Sequence, residues 1–518
     1  MGKKELSTYL LILVGLSILI ALLRLPSLYE PLEGVSGAIA YHARLILNGE
    51  PLYGSHHPSH HLPAAFYTYA LAFFLMGDNP LSIKFLLIPW TIATALLIYM
   101  IGKRLEKKMT GLLSAIFYAI LSSHVYLEGT VARREILANL PISAAIMLSI
   151  ELTVRASKNW KFVIIGVFCA ISFLYKSPFL YTLAVTILVI LANAWLMQEK
   201  EGSWKTTIIR TSFILSGFLI SIMCVLGYFT SQGLLSRFLL VFTLGQKYVG
   251  FLGTPLPLIA IVIAPIYILA INNIFILILS LVGCLRLSRQ ILIKRINGFQ
   301  FRLTGTAVLL WFGFSLVAAG IIRRAWPYYN IILLPPLAIL VAWEFSQLNI
   351  ILSRWFGNTG FRNSKILLTL LILLVLMSSG TKNYNQYIHF LRYKSGRESY
   401  QAFLTNSFPA NAESYIRAEK VAEYITSHTN QGDIVYYWSN DVQLYYLTNL
   451  RSAIDMIWPF YAKVTGPPQR ILSQQTKYIV VSDSDLVPKP KWLFTELEKY
   501  YTLEAVIEGQ SVYRYSDG

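Results

Sequence analysis

The sequence predicts a mainly α protein: a polytopic bundle of about 11 transmembrane spans with interfacial helices and a small C-terminal α/β domain. Three observations carry the prediction. Of the 518 residues, 55% are hydrophobic and only 14% charged, too apolar a balance for an ordinary soluble enzyme. From Tyr9 to Gly380, apolar stretches of about 15–25 residues alternate with short basic loops. Beyond Thr381 the alternation stops, and a polar region follows that is long enough for a modest core of its own.

The expected spans are 7–25, 81–101, 109–124, 136–153, 161–175, 178–198, 207–228, 258–285, 303–320, 328–345 and 366–379. Lys3 and Lys4 precede an apolar run too long for a signal peptide, with no small-residue cleavage site after it, so the first span reads as a retained helix. With the N-terminus cytoplasmic, one set of loops carries Lys103, Arg104, Lys107 and Lys108, then Arg155, Lys158 and Lys161, then Lys200 and Lys205. The same set continues with Arg286, Arg289, Lys294 and Arg295, and with Arg354, Arg362 and Lys365. The positive-inside rule puts all of these in the cytoplasm and the polar tail outside a plasma membrane. It also accounts for most of the net charge of +18, whose residues form no continuous patch, so nucleic-acid binding is not expected. Cys169, Cys224 and Cys284 all lie in apolar spans without metal-like spacing.

The domains are therefore expected at 1–380, with a first outer loop at 26–80, and at 381–518. Counting Leu62–Met76 as a span would move the Lys103–Lys108 cluster outside, so that stretch is expected to lie in the interface. Ala38–Leu47 reads as a second surface helix, with Ile39, Ala43, Ile46 and Leu47 along one apolar stripe. In the tail, Arg417–Ser427 and Trp492–Tyr500 look helical, while Asp433–Trp438, Lys477–Ser482 and Ser511–Tyr515 look like strands.

Charged groups at span ends on the outer face are the candidates for function, because placing them there is costly. Arg134, Lys176 and Arg324 form a cationic set suited to a lipid phosphate or pyrophosphate, although each alone would also suit snorkelling to the interface. Tyr328 and Tyr329 would line a sugar pocket or form an aromatic belt, and Glu135 would hold an arginine or a loop in place. Five of the eight histidines crowd the first loop, at 42, 56, 57, 60 and 61. No acidic or cysteine partner is close to the 56–61 cluster and Pro58 interrupts it, so a divalent metal is not expected there. Asp483-Ser-Asp485 imitates a nucleotide-sugar motif, but it stands in too short a domain, and a polar turn explains it.

The order of these pieces resembles the family 39 glycosyltransferases of GT-C fold, which include protein O-mannosyltransferases and aminoarabinose transferases. The matching residues are Glu33-Gly34, Gly37-Ala-Ile-Ala-Tyr-His-Ala-Arg-Leu-Ile-Leu-Asn-Gly49, Pro51-Leu-Tyr53, Leu62-Pro63 and Tyr67-Thr-Tyr-Ala-Leu71. Further along come Gly129-Thr-Val-Ala132 with Glu135, Phe173-Leu-Tyr-Lys176, Pro327-Tyr-Tyr329 and Leu334-Pro-Pro-Leu337, then Lys477-Tyr-Ile-Val-Val481 and Val512-Tyr-Arg514. The resemblance implies a sugar transferred with inversion from a polyprenyl-phosphate donor to a protein, lipid or glycan acceptor on the extracytoplasmic face, with no cofactor. It also implies a first-loop carboxylate as base and cations that stabilise the departing phosphate. Where the family usually has Asp-Glu before the helix glycine, this chain has Val35-Ser36, and Tyr328 stands where a histidine is common. Glu33 is then the expected acid/base residue, with Glu30, His60 and His61 as alternatives, and Arg134, Lys176 and Arg324 hold the donor phosphate. The rival expectation is a non-catalytic protein on the same scaffold, such as a lipid flippase or an assembly partner.

Overall fold

The computed structural model describes residues 3–54, 59–196, 203–251, 255–293, 298–356, 361–454, 457–459, 471–473, 475–483 and 491–516. They form two compact units, each assembled from separate pieces of chain. The first unit is Met1–Leu28, Phe85–Val225 and Pro255–Tyr387; the second is Tyr29–Lys84, Leu226–Thr254 and Ile388–Gly518. Their boundaries at 84/85, 225/226 and 387/388 fall within helices, the last of them in the same helix as the expected division at 380/381.

The first unit is all-helical. Its helices are α1 (Lys3–Arg24), then α4 (Pro80–Leu105), which begins in the second unit, and α5 (Lys108–Leu121); α2 and α3 belong wholly to the second unit. Next come α6 (Arg134–Val154), α7 (Val163–Tyr175), α8 (Tyr181–Leu196) and α9 (Ser203–Ser231). After the second unit's α10 follow α11 (Ala260–Leu292), α12 (Phe299–Gly320), α13 (Leu334–Phe356) and α14 (Phe361–Lys394). Each of the expected spans falls on one of these helices, and among the described residues seven helices are long and apolar enough to cross a bilayer. Several others, including Tyr9–Arg24, Lys108–Leu121 and Asn159–Tyr175, are apolar but shorter. The structure thus supports about seven clear spans plus shorter apolar helices, where the sequence predicted about 11. Local chemistry sets the ends: Pro178 follows the end of α7, and Pro335 and Pro336 occupy the first turn of α13, where a missing N–H costs nothing.

Packing centres on α13, whose Leu337–Trp343 segment is wholly buried, with α5 and α11 against it. α6 packs on α7 and α8, and α12 on α8 and α11. The α7–α9 crossing is close enough to require glycine on both sides. A Cβ on Gly166 would lie 2.0 Å from the Ile214 carbonyl, and one on Gly217 would lie 2.1 Å from that of Val163. Small residues serve the same purpose wherever membrane helices must approach backbone to backbone.

The second unit joins α2 (Gly34–Leu47), α3 (Ala64–Met76) and α10 (Leu235–Phe251) to the tail elements. The tail supplies α15 (Tyr400–Ser407), α16 (Ala412–His428), β1 (Ile434–Trp438), α17 (Leu444–Thr448), β2 (Arg451–Ser452) and β3 (Thr476–Ser482). It ends with α18 (Lys491–Tyr500), β4 (Tyr501–Ile507) and β5 (Gln510–Tyr515). The strands form one mixed sheet in the order β2-β1-β3-β5-β4, with β1 parallel to β2 and β3, and β5 antiparallel to β3 and β4. Tyr415, Ala418, Val421, Ala422 and Ile425 make the buried stripe of α16 at helical spacing.

One expectation changes here, and three elements appear that were not expected. The stretch Ala38–Leu47 is no surface helix: in α2, Ser36, Ile39, Ala40, Tyr41, His42 and Ala43 are all buried, on several faces at once. Its second covering comes from the tail, where α17 packs on it and Tyr445 faces Tyr41 with ring centres 5.6 Å apart. Helix α10 was not among the expected elements, because polar residues interrupt its apolar run. Strands β2 and β4 were also not foreseen, β4 because its exposed residues break the apolar run.

Candidate functional site

In the first unit, the chain enters α6 through Glu128–Arg133. Glu128 adopts a left-handed conformation (φ 55°), and its carboxylate takes Arg133 in an ion pair of 2.5 Å. The loop is held by buried Arg24, which donates to the carbonyls of Ser122 (2.9 Å) and Gly129 (3.1 Å). In the first turn of α6, Glu135 is buried and accepts from Lys176 Nζ at 2.5 Å. Lys176 occupies the extended residue between α7 and the 3-10 turn Ser177–Leu180, so its position is fixed by the break at Pro178.

A third segment closes the cluster. The 3-10 stretch Pro327–Leu333 is tied to α6 by Asn139 Nδ2, which donates to the Ile331 carbonyl at 3.0 Å. It lays Tyr329 beneath the Lys176 ammonium, 3.6 Å from the ring centre, and Tyr328 beneath the Arg133 guanidinium at 4.1 Å. Trp326 stacks on Tyr328 at 5.8 Å. Arg134 lies within electrostatic reach of both Glu135 and Lys176. Burial pushes the Lys176 ammonium down to about 7, while Glu135 pulls it the other way.

The structure therefore brings together Lys176, Glu135, Arg134, Tyr328 and Tyr329, five of the residues singled out from the sequence. Arg324 lies four residues before Tyr328 in the connection leading out of α12. Arg133 and Glu128 join the cluster without having been assigned a role. Their signal was present, since both are charged groups beside the start of an apolar span, as Arg134 is. Among the described residues, three cationic side chains, Arg133, Arg134 and Lys176, gather with two carboxylates, Glu128 and Glu135, so cationic groups outnumber acidic ones. A partly buried positive site floored by aromatic rings can hold an anion while excluding water.

The first-loop candidates lie in the second unit and carry structural tasks. Glu33 is the N-cap of α2: its carboxylate accepts from Val35 N (2.7 Å), Ser36 N (2.9 Å) and Ser36 Oγ (2.7 Å), and it is buried. Glu30, also buried, accepts from Lys84 Nζ and from Tyr415 Oη, each at 3.1 Å. His61 is buried against His60, ring centres 3.8 Å apart, and its carbonyl accepts from Tyr53 Oη at 2.7 Å. His60 is partly exposed, edge-on to Trp458 at 5.8 Å. Gly34 and Gly37 owe their place to packing, since a Cβ on Gly37 would lie 2.2 Å from that of Gln443. His56, His57 and Asp485 lie outside the described residues, and among the described residues no three His, Cys, Asp or Glu side chains converge as metal ligands.

Comparison with known proteins gives both family and fold similarities. Residues 56–229 match the family described as dolichyl-phosphate-mannose-protein mannosyltransferase, and residues 416–515 match the C-terminal domain of a putative competence-induced protein, Ccs4. ArnT from Cupriavidus metallidurans, solved bound to undecaprenyl phosphate, superposes with a TM-score of 0.58 at 12% identity, covering 99% of both chains. The fold is of the GT-C type. The oligosaccharyltransferase AglB from Archaeoglobus fulgidus, in complex with an inhibitory peptide and a dolichol-phosphate, superposes at TM-score 0.54 and 12% identity, covering 100% of this chain and 75% of that one. No curated protein matches the sequence.

Proposed function

We propose that this chain is a membrane glycosyltransferase that takes a sugar from a polyprenyl-phosphate donor and passes it to a protein, lipid or glycan acceptor outside the cell. The observation that carries the reading is the positive cluster in which Lys176 and Arg133 lie on the faces of Tyr329 and Tyr328 and Glu135 braces Lys176. Similarity to ArnT and AglB, whose structures hold undecaprenyl phosphate and dolichol-phosphate, supports the class of donor.

In this reading Lys176, Arg134 and Arg324, joined by Arg133, bind the donor phosphate. As the glycosidic bond breaks, negative charge grows on the departing lipid phosphate, and fixed cations stabilise it more than they stabilise the intact donor. Glu135 keeps Lys176 aimed, and Tyr328 and Tyr329 exclude water. Glu33 enters the proposal as a positioning residue, because its oxygens already receive three donors from the start of α2.

The deciding experiment incubates the reconstituted protein with radiolabelled polyprenyl-phosphate sugars and measures release of polyprenyl phosphate. Turnover in the wild type that falls about 100-fold or more in Lys176→Gln supports the reading. Donor binding without turnover in any acceptor-containing membrane would instead favour the non-catalytic scaffold, the reading that the Val35-Ser36 replacement invites.

A further inference from the structure

At the far end of α6 from the donor cluster lies a second polar cavity of about 470 Å³, wholly within the first unit. Six side chains matter: Tyr9 of α1, Lys103 and Arg104 of α4, Glu151 and Arg155 at the end of α6, and Gln300 in the first turn of α12. Glu151 takes both Arg104 and Arg155, so one carboxylate answers two guanidinium groups. Lys103 donates to Tyr9 Oη at 3.0 Å and lies 5.1 Å from the centre of that ring. Among the described residues lining it, three cationic side chains stand with one acid, so the lining is basic. The start of α12 lies beside them, and the dipole of a helix is positive at that end.

We propose that this cavity binds the phosphate headgroup of an anionic phospholipid in the leaflet opposite the donor cluster. The position argues for a lipid. Every contributing residue lies at or near the end of an apolar helix, which is headgroup depth, and the 21 residues of α6 span about 30 Å between the two sites. The volume falls in the range of small-molecule pockets, about 300–1,000 Å³, so it admits a glycerophosphate and not only a single ion. Basic pockets between membrane helices recognise lipid phosphates by the same charge complementarity. The sequence places the loops bearing Lys103, Arg104 and Arg155 in the cytoplasm by the positive-inside rule, the side on which anionic lipids attract such residues.

The test uses the full-length protein, delipidated in phosphate-free detergent, with phosphatidylglycerol and phosphatidylcholine titrated separately and bound lipid counted by native mass spectrometry. Tighter retention of phosphatidylglycerol is expected, with the preference reduced roughly tenfold in Lys103→Gln/Arg155→Gln. The charge-matched control Lys158→Gln/Lys161→Gln, exposed residues outside the cavity, should keep the preference. Equal binding of the two lipids, or equal loss in the control, overturns the proposal. Displacement of phosphatidylglycerol by millimolar inorganic phosphate also overturns it, because the ligand would then be a soluble anion. Arg155 is mostly exposed, so the double variant should fold, and circular dichroism and thermal melting of each variant verify that.

Discussion

Lys176 concentrates the chemistry of the donor cluster, because its ammonium meets a buried carboxylate and an aromatic face at once. Removing it alone leaves Glu135 buried without its cation, which costs about 3–5 kcal/mol in comparable pairs. The double variant Lys176→Gln/Glu135→Gln removes both charges and keeps a hydrogen-bonding pair. It is expected to regain most of the thermal stability lost in Lys176→Gln while still failing to bind donor. Recovery of binding with stability would show that the lysine only supports the fold. A pH effect follows from the lowered Lys176 pKa of about 7. Phosphate attracts the protonated form, so donor affinity should be full below about 7 and fall as pH rises through it; isothermal titration at several pH values reads this directly.

Two helices show how local sequence is spent on packing. At the α7–α9 crossing, Gly166→Val forces a side chain into a carbonyl contact of 2.0 Å, so the helices must separate. The expected outcome is a loss of about 1–3 kcal/mol, read as a lower melting temperature in detergent; an unchanged melt would show that the crossing is looser than the backbone distances indicate. In α2, Glu33→Ala removes a cap worth about 1 kcal/mol and should fray the first turn, visible as faster amide exchange at Val35 and Ser36. The glycines that made Glu33–Gly49 resemble a known pattern belong to the same logic, with Gly34 and Gly37 clearing room for Asn440 and Gln443.

On the scale of the whole molecule, the first loop and the tail share one compact unit although hundreds of residues separate them. Glu30 joins them by taking both Lys84 and Tyr415, the latter 385 positions away. Arg417 reaches Asp441 at 2.6 Å in a second partly buried network, which Gln510 Nε2 completes at 3.2 Å. Glu30→Ala strands Lys84 and is expected to make the tail protease-sensitive, while Tyr415→Phe, which removes one hydrogen bond of about 1 kcal/mol, should do so only weakly. Equal resistance of both variants to limited proteolysis would show that the link carries little of the unit's stability.

The apolar spans, the helical stripe of α16, the strands β1, β3 and β5 and the cationic span ends were all legible in the sequence. Each is a local property: length of an apolar run, its period, or the cost of a charge beside lipid. Contacts between distant residues were not legible. Nothing in the sequence around Glu33 shows whether its carboxylate faces a substrate or caps its own helix, and nothing around Ala38–Leu47 shows that Tyr445 covers it. Lys176 and Glu135 each looked like span-end charges, and only the fold, bringing residues 41 positions apart to 2.5 Å, made them a pair. The sequence by itself determined the solvent and most of the helices. Tertiary structure decided which charges are partnered, because pairing depends on the distance between elements, and that distance is set only when the helices pack.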